Sequence, residues 1–178
     1  MTPVQEAVLG LLPDIAQPYD PNSISKVPRD LLVRAKTGTG KTLAFLVPAI
    51  EARVKAIQDR VNKAVEAAGS RADNHLKFRA ATEFARSTAG ALIISPTREL
   101  ATQIAEEAIK LTTHHDGFEV RLFTGGESRG AQLRNWNRGR KDIVVATPGR
   151  LRDMLENEPS VQDALKGVQL VSLQNLVT

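Results

Sequence analysis

The run Ala35-Lys-Thr-Gly-Thr-Gly-Lys-Thr42 places two glycines, a lysine and a hydroxyl in the order that phosphate chemistry needs. Gly38 and Gly40 free the backbone to turn its N–H groups inward around phosphate oxygens, and a helix starting near Lys41 adds the positive end of its dipole. Lys41 supplies a point charge for the outer phosphates, and the Thr42 hydroxyl is a ligand for a nucleotide-bound Mg2+. Lys36, Thr37 and Thr39 complete the loop, and Ala35 stands where the strict pattern has Gly, a small-for-small exchange. Such a loop binds a nucleoside triphosphate without choosing its base. Guanine specificity needs Asn-Lys-x-Asp, and the single Asn-Lys, in Asn62-Lys63-Ala64-Val65, lacks the acid.

A phosphate loop needs a strand before it and a helix after it. Asp30–Ala35 is predicted as that strand, and further buried parallel strands are expected at Ala91–Ser95, Glu119–Phe123, Asp142–Ala146 and Val168–Leu173, all short β-branched or Leu-rich runs. Leu100, Ile104, Ala108 and Leu111 mark one face of a helix with Thr97 as its N-cap. Val54, Ile57, Val61 and Val65 mark another, with Asp59 and Lys63 set to pair at i, i+4 on its outer side. Strands alternating with helices imply right-handed βαβ units, hence an α/β fold with a parallel sheet covered on both faces. Residues 17–28, with three prolines, read as a long loop, and residues 53–90 hold no strand and read in their latter part as a helical insertion on one face of the sheet.

The 178 residues suffice for about one domain. No Cys is present, which excludes a disulfide framework, a thiolate metal site and a cysteine nucleophile. No apolar run reaches the roughly 18 residues of a membrane span, so a soluble, intracellular chain with no membrane partner is expected. Net charge is +4, from 24 Lys+Arg against 20 Asp+Glu, and it is concentrated. Between Glu119 and Arg152 eight basic residues face three acids, an excess of five, which is either a phosphate-binding face or an arginine-rich solvated helix surface. Trp136 and Phe123 are either stacking platforms or, more commonly for such positions, core; His75, His114 and His115 lack metal-ligand spacing.

Four more segments stand in order around the phosphate loop: Thr2-Pro-Val-Gln5, Pro96-Thr-Arg-Glu-Leu-Ala101 with Gln103, Gly125-Gly126 and Thr147-Pro-Gly-Arg150. Together with Ala-x-Thr-Gly-x-Gly-Lys-Thr they resemble the N-terminal RecA-like domain of DEAD-box ATP-dependent RNA helicases, most of all the fungal mitochondrial members. The resemblance implies a RecA-like P-loop NTPase domain over residues 1–171, ATP and Mg2+ as cofactors, RNA, single-stranded or duplex, held by its sugar-phosphate backbone, and a mitochondrial compartment as one option. It assigns adenine reading to Gln5, whose carboxamide can accept from the adenine amino group while donating to N7. It assigns RNA-backbone contacts to Pro96, Thr97, Arg98, Gly125, Gly126, Thr147, Gly149 and Arg150, whose hydroxyls, loop N–H groups and guanidinium forks reach phosphates but read no bases. For Arg98 a structural alternative stays open, an ion pair with Glu99 or Asp142 that fixes a loop.

One part of the pattern differs. Where the family ends a strand in Asp-Glu-Ala-Asp, the acids that hold magnesium and position water, this chain reads Gly167-Val-Gln-Leu-Val-Ser-Leu-Gln-Asn-Leu-Val-Thr178, with no acid after Asp163. The expectation is an incomplete RecA-like sheet, no catalytic acids, an aberrant tail over 172–178, a missing second RecA-like domain and negligible ATP hydrolysis by this chain alone. The alternative is a non-catalytic fragment that binds nucleotide, RNA or a protein partner. A small-molecule kinase, a third possibility, leaves the motif series unexplained.

Overall fold

The structure, a computed structural model, describes residues 1–17, 30–36 and 38–174. Four parallel strands, β1 (Ala91–Ile94), β2 (Val120–Phe123), β3 (Ile143–Ala146) and β4 (Leu170–Leu173), form a sheet in the order β2-β3-β1-β4. Each strand lies within a segment predicted from sequence. Ala91 is in register with Ile143 and Leu170, and Val120 with Ile143, so all four strands end at one edge of the sheet.

Helices cover both faces, as buried parallel strands require. Ala91, Ile93, Ile143 and Val145 pack against Leu46 and Ile50 of α2 (Lys41–Ala68) and Ile104 of α4 (Arg98–Leu111). Leu92, Val144 and Ala146 face the other way, onto Trp136 of α5 (Arg129–Arg138), Met154 of α6 (Pro148–Asn157) and Val161 of α7 (Pro159–Leu165). The period-2 alternation of each strand thus splits the apolar residues into two cores. Trp136 and Phe123 lie in the second core, fully covered, with ring centroids 5.1 Å apart; they are packing residues and not stacking platforms. The three histidines are exposed.

Residues 53–90, which hold no strand, lie in a helical hairpin. α2 runs for 28 residues, and α3 (Asn74–Ser87), capped by the Asp73 carboxylate on the Leu76 N–H at 2.7 Å, returns along it to deliver the chain to β1. Arg53, midway along α2, lies level with the start of β3, so the second half of α2 and all of α3 extend away from the edge where the strands end. The anticipated Asp59–Lys63 pair does not form; Gln58 and Asn62, one position earlier, hydrogen-bond instead at 2.9 Å.

The strand predicted at Asp30–Ala35 is not formed. Residues 30–36 carry no regular structure, and Leu31, Leu32 and Val33 are exposed, Leu32 completely. Among the described residues no strand lies beside this segment, so its backbone groups have no ladder to join and its apolar side chains no face to cover. Among the described residues β4 pairs with β1 alone. Ser172 and Leu173, read as tail from sequence, belong to β4 and pair with Ile93 and Ile94. The loop expected over 17–28 and the end of the tail fall outside the described residues, apart from Gln17 and Gln174.

Candidate functional site

The phosphate-loop sequence sits at the edge where the strands end. Level with the start of β3 at Arg53, α2 climbs back 12 residues, about 18 Å, to Lys41 at that edge. Gly38 (φ +80°) and Gly40 (φ +77°) adopt the left-handed conformation that glycine reaches without strain. Thr37 lies outside the described residues. Lys41 Nζ donates to the carbonyls of Ala35 and Lys36, both at 2.6 Å, and Thr39 Oγ1 donates to Lys36 O at 2.7 Å. The ammonium is therefore centred in the loop with a third donor to spare. Thr42, half-buried, occupies the first turn of α2.

With no strand behind it, the loop is held by α1 (Pro3–Leu9). Thr2 and Gln5 form a reciprocal capping box: Gln5 N donates to Thr2 Oγ1 at 3.3 Å and Thr2 N to Gln5 Oε1 at 3.0 Å. The same two side chains then grip the loop, Thr2 Oγ1 donating to Thr39 O at 2.7 Å and Gln5 Nε2 to Gly40 O at 3.4 Å. Gln5 has one N–H and one acceptor lone pair left, the donor-and-acceptor pair an adenine edge requires. The sequence analysis marked Gln5 for the adenine edge; the structure adds its part in the capping box and in anchoring the loop.

A second site lies beside the first. An open cleft of about 540 Å³ is lined by Pro96, Thr97, Arg98 and Glu99 after β1, Gly125 after β2, and Thr147, Gly149 and Arg150 after β3. Two helices begin there: α4, with Thr97 Oγ1 accepting from Leu100 N at 3.2 Å, and α6, with Thr147 at the N-cap and Pro148 in the first turn. Their free N–H groups make the cleft favourable to anions. Gly126 stands at its margin with φ +91°.

The two arginines differ. Arg98 is exposed, and its guanidinium, which has no hydrogen bond or ion pair among the described residues, lies over Gly125 and Gly126. A methyl group at Gly126 would come within 2.8 Å of Nη1. The proposed ion pair of Arg98 with Asp142 is excluded, since Asp142 is buried at the opposite end of β3 with Arg53 and Arg140; nor does Arg98 pair with Glu99. Arg150 is 14% exposed and held by Gln132 Oε1 at 2.8 Å, Glu127 O at 3.2 Å and, more distantly, Asp153 at 3.8 Å. Gln132, buried, also donates to Thr124 O at 3.0 Å and so fixes Arg150 to the loop after β2. No sequence signal marked Gln132 for this part.

The positive excess between Glu119 and Arg152 is mostly consumed internally. Arg121 pairs with Glu119, Arg129 with Asp153 and Glu158, Arg140 with Asp142, and Arg152 with Glu156. Lys141 is buried on the carbonyls of Arg86 and Gly139. Among the described residues Arg134 and Arg138 are the cations of the run with no side-chain partner. The window counted from sequence stopped just short of Asp153, Glu156 and Glu158, which neutralise it.

A parallel sheet, a glycine loop opening a helix, and segments after three strands meeting in one cleft match a known domain along most of the chain. Residues 17–173 fit the model of the DEAD/DEAH box helicase family. The chain belongs to that family. DEAD-box ATP-dependent RNA helicase 25 of Oryza sativa subsp. japonica is 39% identical over 173 residues, 97% of this chain and 23% of the relative. The mitochondrial ATP-dependent RNA helicase mss116 of Aspergillus oryzae is 36% identical over 179 residues, 100% of this chain and 22% of the relative. The resemblance to fungal mitochondrial members is thus matched by plant members of similar identity. The fold agrees with the DEAD-box helicase Mss116 bound to ssRNA and UDP-BeF at a TM-score of 0.64 and 22% identity, over 97% of this chain and 35% of that one. The chain spans about a quarter or less of the length of these curated relatives.

Within this DEAD/DEAH box helicase chain no group of three or more His, Asp or Glu side chains able to hold a metal occurs among the described residues. No helix among the described residues is long and apolar enough to cross a membrane.

Proposed function

We propose that this chain is the ATP- and RNA-binding N-terminal part of an ATP-dependent RNA helicase, an ATP-binding helicase domain that runs to the end of β4 at Leu173, with an insertion at about 53–90. The observation that carries the reading is convergence: segments after β1, β2 and β3 meet in one cleft, at the same sheet edge as the glycine loop. The names of relatives at 36–39% identity, all ATP-dependent RNA helicases, support it.

In this reading Gly38, Gly40 and Lys41 hold the phosphates, with the carbonyls of Ala35 and Lys36 giving up the ammonium to phosphate oxygens, and Gln5 takes the adenine edge. The Thr42 hydroxyl, together with the bound phosphates, would hold a magnesium ion, which would supply charge neutralisation there. Arg98 and the N–H groups at the starts of α4 and α6 hold the RNA backbone, and Arg150, fixed by Gln132, shapes the cleft. β4 ends at Leu173, and Gln174 N just beyond it donates to Ile94 O at 2.8 Å; Ser172 and Gln174 bring a hydroxyl and an amide, not carboxylates, to this end of the strand. Negligible ATP turnover by these 178 residues follows.

The test is ATP turnover with and without RNA, alongside binding of a fluorescent ATP analogue. The reading expects analogue binding that Lys41→Ala abolishes, and no turnover above background. RNA-stimulated turnover lost in Lys41→Ala would refute the non-hydrolysing part; absence of analogue binding would refute nucleotide binding. A partner-binding fragment is the second reading, favoured by the outer edge of β4, which no strand among the described residues joins and where Val171 and Leu173 are 53% and 66% exposed.

A further inference from the structure

α3 presents a stripe that packing does not explain. His75, Phe78, Arg79 and Arg86 lie three, four and seven residues apart, hence on one side of the helix, and line a shallow surface depression. Phe78 is 72% exposed, although the opposite side of α3 supplies Phe84 to the Arg53 guanidinium, 5.1 Å from its ring centre. An amphipathic helix of a closed domain has no use for an aromatic ring among cations on its outer face.

The stripe continues onto α5. Arg86 Nη2 donates to the carbonyl of Arg138 at 2.8 Å, which brings the ends of α3 and α5 together. Arg138 is one of the two cations left without a partner in the basic run. Neither Arg79, Arg86 nor Arg138 has a carboxylate partner among the described residues, and Glu83, the one acid lining the depression, makes no ion pair there. The surface is net positive, with one exposed aromatic face at its centre.

We propose that this face of α3 and the end of α5 is a second, sequence-independent contact for single-stranded RNA, with a base stacked on Phe78 and phosphates on Arg79, Arg86 and Arg138. It rests on the reading of the chain as RNA-binding and is distinct from the cleft. Lys141 N donates to Ala85 O at 2.9 Å, which fixes the C-terminal end of α3 at the start of β3, whereas the cleft lies where β3 ends. Stacking on an exposed ring is indifferent to base identity, and guanidinium–phosphate contacts are indifferent to sequence. Only an RNA long enough to leave the cleft and pass along the domain reaches both.

The experiment measures fluorescence anisotropy of labelled oligouridines of about 6 and about 20 nucleotides with the 178-residue chain, its Phe78→Ala/Arg79→Ala variant and Arg98→Ala. Phe78 and Arg79 are exposed, and circular dichroism confirms that the variant folds. The double variant is expected to bind the long oligomer about 5–10-fold more weakly and the short one unchanged, while Arg98→Ala weakens both. Equal binding of the long oligomer by wild type and double variant overturns this proposal and leaves the cleft reading standing. No binding of either oligomer by wild type overturns both. Dimerisation lost on Phe78→Ala, or capture of polyglutamate by the same face in preference to RNA, overturns it in favour of a protein occupant.

Discussion

Arg53 Nε lies 2.8 Å from Asp142 Oδ1, with both side chains fully buried. Arg53 comes from the middle of α2 and Asp142 from the head of β3, so the pair joins the helix that carries the glycine loop to the sheet that carries the cleft. Every polar atom of both groups has a partner: Arg53 also donates to Thr88 Oγ1 and Ala85 O, both at 3.3 Å, and to Thr88 O at 2.8 Å, and Asp142 accepts from Arg140 and from Glu119 N at 3.0 Å. Burial lowers the Arg53 pKa, and the Asp142 carboxylate opposes that shift. Gly90 is required here, because any side chain would collide with Arg53 and with the Asp142 carbonyl.

Removing one partner of such a pair strands the other charge in the interior. Arg53→Ala is expected to lower unfolding free energy by about 3–5 kcal/mol, read from the urea midpoint. A loss below about 1 kcal/mol would show that the network is not a structural tie.

Lys141 has a pH signature. Burial first, then the positive charges of Arg121, Arg86 and Arg53, lower its pKa from 10.5 to about 8, although Asp142 opposes the shift. Its residue is 5% exposed and its ammonium lies 5.0 Å from the Trp136 ring centre. Between those two values the unfolded chain keeps the proton that the folded chain has released, so stability rises with pH across that window. Wild type is expected to gain on the order of 1–2 kcal/mol from pH 7 to pH 10 relative to Lys141→Met. Parallel urea midpoints for the two proteins would contradict this.

At Gly40 two constraints coincide, the positive φ and the closeness of the Gln5 carboxamide. Gly40→Ala is expected to cost about 1 kcal/mol of stability and to weaken ATP-analogue binding by about tenfold, by displacing Gln5 and distorting the loop together. Unaltered analogue binding would separate Gln5 from the nucleotide site.

Gly126→Ala pushes against the Arg98 guanidinium. If Gly126 serves to seat that group, Gly126→Ala and Arg98→Ala should weaken RNA binding by similar factors, and the double variant no more than either alone. Additive losses would mean that Gly126 acts independently of Arg98.

How much of this was legible in the sequence depends on whether the relevant physics is local. The four strands of the sheet were legible because each is a compact β-branched or Leu-rich run bounded by turn residues, and α4 because its apolar period starts three residues after a Thr able to cap it. Asp30–Ala35 has the same composition as those strands and still fails to form one, because a strand exists only beside another and pairing is a tertiary fact. The charge excess misled for a related reason: a window on the chain cannot see that Arg129 reaches Glu158, 29 residues away. Motif order named seven of the residues that line the cleft, Pro96, Thr97, Arg98, Gly125, Thr147, Gly149 and Arg150, but which arginine is free could not be read from it. Arg98 owes its exposure to two glycines after β2, and Arg150 its restraint to Gln132 on α5.

The central claim, that the cleft after β1, β2 and β3 binds the RNA backbone through Arg98, is tested most directly by the salt dependence of single-stranded RNA binding in wild type and Arg98→Ala. Each phosphate contact on a single strand contributes roughly 0.7 to the slope of log affinity against log salt. Wild type should bind oligouridine at low salt with a clear negative slope, and Arg98→Ala should bind more weakly with a slope shallower by about 0.7. Identical affinity and slope in the two proteins, or no binding by wild type at low salt, would contradict it.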